Sequence, residues 1–220
     1  MFKYNNLMID WLGHSTVGIY GEITIYIDPY TGVLKGGERK ADLIISTHNH
    51  KDHFDINAIN QLSEPKTNVV VKSGCDIKDL ISEYIKEIEI DQTVTVDGIE
   101  IMAVAAYNVT KFKSPGVPFH PEGFGMGIVF NVERTKIYYA GDTDCIEPMK
   151  KLKDQQIDIA FLPIGGKYCM DVEEATRAVI NIEPKIAIPV HYNHIKGTEA
   201  DPMIFKQESE KNGLTKVFLP

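Results

Sequence analysis

Cysteine is scarce. Three thiols, Cys75, Cys145 and Cys169, are spread over 220 residues with no C-x-x-C spacing, which argues against a disulfide framework or a cysteine-built zinc site. Long apolar runs are also lacking: a stretch such as Ile101 to Tyr107 is strand-sized and far short of a membrane span. The first ten residues hold Lys3, two asparagines and an aspartate but no apolar core of a secretory signal, so the expected location is cytoplasmic. Basic charge is in deficit, with 23 Lys+Arg against 31 Asp+Glu and a net charge of −8. This weighs against a surface that tracks nucleic-acid phosphates, yet leaves room for a local pocket holding one anionic group. No low-complexity tract, like-charge block or short repeat divides the sequence, and residues 1–220 read as one domain. Assembly into a homo-oligomer is left open.

What is present is a succession of short β-branched and aromatic runs. Met8 to Trp11, Val17 to Tyr20, Ile23 to Ile27 and Leu43 to Thr47 read as strands, the second and third joined as a hairpin across Gly21-Glu22. Asp97-Gly98 suits the tight turn of a hairpin between Thr93 to Val96 and Ile99 to Ala106. Gly127 to Val132 and Lys136 to Ala140 make a further hairpin, and helices are expected at Ile56 to Ser63, Ile77 to Lys86 and Glu147 to Lys153. Strands and helices then alternate: strand Ile157 to Leu162, helix Val172 to Ile182, strand Ile186 to Val190, helix Pro202 to Asn212, strand Lys216 to Leu219. Asp171 with Glu174 forms a capping-box pattern, and Asp201-Pro202 places an N-cap before a first-turn proline. Antiparallel pairs with helices inserted between them exclude a purely doubly wound sheet and point to two packed sheets with helices outside. The segment Tyr107 to Met126 shows no periodicity and holds three prolines, the mark of a functional or disordered loop.

The chemistry concentrates after the apolar strand Leu43 to Thr47, in His48-Asn49-His50-Lys51-Asp52-His53. In an extended segment residues i and i+2 point the same way, so His48 and His50 can place two imidazoles on one cation. As the chain turns, Asp52 and His53 can face a second. Imidazole and carboxylate donors without thiolates suit Zn, Mn or Fe, and no all-oxygen Ca or Mg cage is indicated. Asp142 and His191 share the same placement at the end of a strand, after Lys136 to Ala140 and Ile186 to Val190. A carboxylate can bridge two cations and a further imidazole can complete the second site.

These residues in this order resemble the metallo-β-lactamase superfamily. The resemblance implies an α/β fold of four layers, an αβ/βα sandwich with the metals along one edge. Trp11-Leu12-Gly13-His14-Ser15, Ile27-Asp28-Pro29, Gly141-Asp142-Thr143 and Pro163-Ile164-Gly165-Gly166 resemble its compact branch, which contains the L-ascorbate-6-phosphate lactonases and the N-acylphosphatidylethanolamine phospholipases D. His48, His50, Asp52, His53, Asp142 and His191 match the superfamily's ligand pattern, and Asp28 resembles its aspartate beside the metals, which accepts an N–H from a ligand histidine. His14 either lines the pocket or is a core-edge histidine bonded to backbone. One position departs from the pattern. Another histidine is usual after the strand preceding the Asp142 hairpin, where this chain has Tyr107-Asn108. His120 is the only histidine between His53 and Asp142, and the place falls to it, to Asn108 or to water.

The resemblance implies a hydrolase with two divalent metal ions, zinc foremost, in which a metal-bound hydroxide attacks a small-molecule ester, lactone or phosphodiester and Asp52 moves the proton. The absence of G-x-S-x-G, of a Cys-His pairing and of a phosphate-binding loop agrees with a reaction that needs no protein nucleophile. Tyr107, Asn108, Lys111, Lys113, Lys167 and Tyr168 are the candidate substrate contacts, the lysines for an anionic group. The alternative is a metal-binding protein without hydrolytic activity, a sensor or an iron-dependent redox member of the fold.

Overall fold

The computed structural model describes residues 1–211 and 213–220. The first half builds one sheet whose seven strands lie in chain order: β1 (Phe2–Tyr4), β2 (Leu7–Gly13), β3 (Thr16–Tyr20), β4 (Thr24–Ile27), β5 (Leu43–Ser46), β6 (Asn68–Lys72) and β7 (Tyr84–Ile88). Pairing is antiparallel through β4 and parallel from β4 to β7. The crossover from β5 to β6 is helix α1 (Ile56–Leu62), whose N-cap Asp55 accepts the backbone N–H groups of Asn57 and Ala58.

The second sheet opens with the hairpin β8 (Thr93–Val96) and β9 (Ile99–Ala106). The chain leaves it for a two-stranded ribbon, β10 (Phe112–Ser114) and β11 (Val117–Pro118), and returns as β12 (Gly125–Val132) and β13 (Thr135–Tyr139). Strands β14 (Ile159–Pro163), β15 (Ile186–Val190) and β16 (Lys216–Val217) then add in parallel, giving the order β16-β15-β14-β13-β12-β9-β8. The connections are a 3-10 helix at Glu147–Gln155, helix α2 (Val172–Ile182), capped by the reciprocal Asp171–Glu174 box, and helix α3 (Pro202–Ser209) behind its Asp201 cap. The expected end of this last helix at Asn212 lies outside the described residues.

Alternation along the strands separates the layers. Ile25 and Ile27 face inward with Ile9, Ile19, Leu43 and Val70 and meet Ile101, Ile128, Phe130 and Phe161 of the second sheet in one dry core. Tyr26, Ile44, Val69 and Val71 turn outward under Ile59 and Leu62 of α1. On the other side Ala160, Leu162 and Ala187 turn outward under Ala175, Val179 and Ile182 of α2 and Phe205 of α3. The result is the four-layer αβ/βα sandwich expected from the sequence.

Two expected helices differ, and the one over Glu147 to Lys153 coils as 3-10 throughout. Residues 77–86 carry apolar side chains at Ile77, Leu80, Ile81, Tyr84 and Ile85, a spacing that mimics a helix face, but only Ile77–Asp79 coils, as 3-10, and Tyr84–Ile88 is strand β7. Parallel pairing with β6 over five residues wins over the local periodicity, and Ile77, Leu80 and Ile85 pack against the outer core beside α1 without a helix. The loop expected from Tyr107 to Met126 contains the β10–β11 ribbon and the start of β12. No helix among the described residues is long and apolar enough to cross a membrane.

Candidate metal centre

The chemistry-bearing residues come together because most of them follow the carboxyl end of a strand at one edge of the sandwich. His14 follows β2, Asp28 follows β4, His48 to His53 follow β5, Asp142 follows β13 and His191 follows β15. His120 arrives from the opposite direction, just before β12. Backbone hydrogen bonds lock this edge together: His191 N–H donates to His14 O at 2.7 Å, and Met126 N–H donates to Thr47 O at 3.1 Å. His14, Asp28 and His191 all take left-handed backbone angles, with φ of 50°, 46° and 57°, a conformation uncommon outside glycine that clusters at functional sites. Gly141 also has positive φ, and a Cβ there would lie 2.6 Å from Met126 O. Only glycine fits the turn that presents Asp142.

Three imidazole nitrogens converge first. His50 Nδ1 stands 3.0 Å from His48 Nε2 and 3.1 Å from His120 Nε2. A second set adjoins it. The Asp142 Oδ2 atom is 3.5 Å from His53 Nε2, 3.4 Å from His120 Nε2 and 3.3 Å from His191 Nε2, and Asp52 Oδ2 is 3.6 Å from His53 Nε2 and 3.8 Å from His191 Nε2. Asp142 therefore lies between the two sets, whose donor atoms can be grouped as His48-His50-His120 and as His14-Asp52-His53-His191.

The far side of each ring is held. His53 donates its Nδ1–H to Asp28 Oδ2 at 2.7 Å. The same carboxylate accepts the Thr47 N–H and Oγ1–H, each at 2.7 Å, and Thr47 Oγ1 accepts from His48 Nδ1 at 3.1 Å. Asp28 thus orients two histidines, one directly and one through a hydroxyl, and leaves both Nε2 atoms free to coordinate. His120 Nδ1 is fixed by Asn108 Oδ1 and the Tyr168 carbonyl, and His191 Nδ1 lies 3.6 Å from Cys169 Sγ. His14 donates from Nε2 to Asp52 Oδ2 at 2.8 Å.

Electrostatics divide the site. Burial pushes His48 and His50 below the usual imidazole value and His120 down to about 4, so all three are neutral at neutral pH. Burial acts the same way on His53 and His191, but the Asp142 charge overrides it and holds both well above the usual value. For Asp142, burial is outweighed by the His191 and His53 charges, and the carboxyl sits well below its usual range. Asp52 is likewise held low by His53 and the bond from His14 against the effect of burial. His14 itself is lowered, chiefly by burial.

The fit to a metal rests on the orphans. His53 Nε2, His191 Nε2 and Asp142 Oδ1 are buried without a hydrogen-bond partner, a costly arrangement that divalent cations relieve. A set of imidazole and carboxylate donors in which three histidines are ring-neutral and point inward is the chemistry of Zn, Mn or Fe.

The structure brings His48, His50, Asp52, His53, His120, Asp142 and His191 into one cluster with Asp28 and His14 against it. The expected substrate contacts divide. Tyr168 lines the cavity beside the cluster, whereas Lys111 pairs with Glu174 on α2, its side chain 15% exposed. Asn108 is spent on His120, Tyr107 packs against the outer core of the second sheet, and Lys113 projects into solvent on the ribbon. Lys167 lies over the Tyr168 ring at 4.8 Å. These positions were expected at the substrate because of loop membership alone: partners on other elements turn Lys111, Asn108 and Tyr107 elsewhere, whereas Lys113 is simply exposed and Lys167 stays on a ring that lines the cavity. Several residues gave no signal in the sequence. Phe124 packs 4.9 Å from the His50 ring, and Tyr30, Lys51, Phe119 and Ile195 line the cavity. Adjacency to a candidate histidine was the only available pointer, and it holds for Lys51, Phe119 and Thr47.

Comparison with known proteins agrees with this edge of donors. The family described as the beta-lactamase superfamily domain matches residues 8–191. The chain is 35% identical over 210 residues to a UPF0173 metal-dependent hydrolase of Thermoplasma acidophilum, covering 91% of this chain and 90% of the relative. It is 33% identical over 216 residues to the corresponding protein of Nanoarchaeum equitans, covering 97% and 96%. A crystal structure from Parabacteroides distasonis, assigned to the metal-dependent hydrolases, superposes with a TM-score of 0.82 at 30% identity, covering 97% of this chain and 92% of that one. The matched span runs from the strand that precedes His14 to His191 itself, so fold and donor edge fall within it together, and the chain belongs to the metal-dependent hydrolases of the beta-lactamase superfamily.

Proposed function

We propose that the protein hydrolyses a small-molecule ester, lactone or phosphodiester with two divalent cations, zinc foremost and manganese or iron next. His48, His50 and His120 would hold one cation, Asp52, His53 and His191 the other, and Asp142 would stand between them. When bound, such cations polarise the scissile oxygen and lower the pKa of water to about 7. The observation that carries this reading is the convergence of three imidazole Nε2 atoms on Asp142 Oδ2 at 3.3 to 3.5 Å.

The chain's own residues supply the rest. Asp28 and Thr47 hold His53 and His48 through Nδ1, so that Nε2 is the atom each ring presents to the site. Asp52 lines the cavity with its side chain 26% exposed, and His14 anchors it through Oδ2. Held ionised, it is placed to accept a proton from the attacking water and return it to the leaving group. Cys169 offers no competing nucleophile, since it is fully buried and burial raises its thiol.

The test is metal analysis of protein purified without chelators, followed by turnover on lactones, esters and phosphodiesters with Zn or Mn restored to chelated protein. Two equivalents of metal and turnover of at least one class are expected, with both lost in Asp142→Ala. Wild-type protein that binds metal but turns over no class above background would overturn the reading in favour of a sensor.

A further inference from the structure

The cavity beside the donor cluster has a volume of about 310 Å³, at the lower end of small-molecule sites. Its wall is aromatic. Phe119 and Tyr168 meet edge to face with ring centroids 4.9 Å apart, and Tyr30 and Ile195 add apolar surface. This wall is fastened to the donors. Phe119 precedes His120 and donates its N–H to Lys111 O, and the Tyr168 carbonyl accepts from both His120 Nδ1 and Asn108 Nδ2.

Few cationic groups for a phosphate line the cavity, and Lys113 stands outside its lining on the exposed ribbon. Lys111 is turned to Glu174, and Lys167 lies against the Tyr168 ring. Among the described residues that line the cavity, Lys51 supplies the one ammonium, and it is exposed. Recognition of a phosphate monoester ordinarily draws on several charge-assisted donors. A compact aromatic group, by contrast, gains both area burial and offset or edge contacts with such a wall.

We infer that Phe119 and Tyr168 are specificity-determining residues that select an ester or lactone carrying a compact aryl group next to the scissile bond, in preference to a sugar-phosphate lactone. The inference rests on the hydrolase reading above. In the reaction the oxygen of water joins the acyl carbon, the acyl C–O bond breaks, and the aryl-side oxygen leaves as an alcohol or phenol once it has taken a proton.

Zinc-loaded protein would be assayed on dihydrocoumarin, δ-valerolactone and 6-phosphogluconolactone. We expect kcat/KM for dihydrocoumarin to exceed the other two by about tenfold or more, and Phe119→Ala and Tyr168→Ala each to shrink that preference by about tenfold, mainly through KM. Calorimetric binding of the aryl product, 3-(2-hydroxyphenyl)propanoate, should weaken in parallel. Phe119→Leu and Tyr168→Leu, which keep bulk without a ring, guard against a folding defect and should show the same loss at unchanged metal content. A preference for the phosphorylated lactone, or a preference for dihydrocoumarin that survives in all four variants, would overturn the inference. If no lactone, ester or phosphodiester turns over, the hydrolase reading fails. The aryl selectivity is then decided by the calorimetry, where equal binding to wild type and variants overturns it.

Discussion

Asn108 accepts two protons from His120 on a single side-chain oxygen, the backbone N–H at 2.8 Å and the Nδ1–H at 2.9 Å. Its Nδ2 donates to Asp144 Oδ1 and to the Tyr168 carbonyl, and its own N–H donates to His120 O. Asp144 in turn accepts the N–H groups of Val109 and Thr110 and the Thr110 hydroxyl. The thirteen residues from Asn108 to His120 therefore leave the sheet and come back to their own starting point, so that a histidine at the end of a loop reaches the position where the superfamily pattern expects one directly after β9. Asn108 is the residue that fixes where His120 points.

Asn108→Ala removes this fixture and leaves His120 Nδ1 with the Tyr168 carbonyl alone. Metal affinity should fall by about 10- to 100-fold, as for other partners of ligand histidines, read by competition with a chromophoric chelator. Asn108→Asp should not rescue it, because a second carboxylate would replace the amide that donates to Asp144 at 2.9 Å and like charges would be forced together. Affinity equal to wild type in either variant would show that His120 is positioned by something else.

Much of this site was legible because strand ends are legible. Runs such as Leu43 to Thr47 and Ile186 to Val190 announce buried parallel strands, and the polar residue that follows each one falls at the same edge of the sheet. That logic reaches His48, Asp142 and His191, and the i, i+2 rule pairs His48 with His50. It does not reach contacts made across the chain. The His14–Asp52 bond joins residues 38 apart, and the Lys111–Glu174 pair joins residues 63 apart. Lys111 consequently looked like a free loop lysine. The misplaced helix at Ile77 to Lys86 has a related cause: apolar spacing over about two turns cannot say whether a neighbouring strand has an open edge, and β6 did.

Cys169 is the partner that turns His191. Its Sγ lies 3.6 Å from His191 Nδ1, and both side chains are buried. Cys169→Ala leaves a buried imidazole N–H without an acceptor, and metal affinity should fall about tenfold. Cys169→Ser restores an acceptor of similar size and should recover most of the loss. Two variants with the same affinity would mean the sulfur only fills space.

Lys111→Met tests the corrected role of that residue. Glu174, 8% exposed, would keep its charge without its close ammonium partner, and breaking such a pair costs about 3 kcal/mol. In a chain of this size the loss amounts to a melting temperature lower by about 6 to 12 °C. KM for any turned-over substrate should stay within about twofold, since the ammonium faces α2 rather than the cavity. A large rise in KM at normal stability would return Lys111 to the substrate.

Protons and metal compete for only half of the cluster. In the metal-free chain His53 and His191 are held protonated beside Asp142, whereas His48, His50 and His120 are already neutral, His120 with a value of about 4. A cation taking the Nε2 atoms of His53 and His191 must displace their protons, so metal binding at pH 7 should release protons and its apparent affinity should rise with pH. The linkage to folding has a definite sign. For His53 and His191 the folded value lies above the unfolded value of about 6.5, so their stabilisation is full below about pH 6.5 and is lost as pH rises through the folded values. Asp142 and Asp52 are depressed, so theirs is present above about pH 3.9 and is lost as pH falls. His120 adds to this acid-side loss: between about pH 6.5 and 4 the unfolded chain takes a proton that the folded chain refuses, which lowers stability as pH falls. The gap in melting temperature between zinc-loaded and chelated protein should therefore widen from pH 6 toward pH 8. Calorimetric binding enthalpies at pH 7 should also vary with the ionisation enthalpy of the buffer. A constant gap together with buffer-independent enthalpies would mean that the His53–Asp142–His191 ion pairs do not hold those protons before metal arrives.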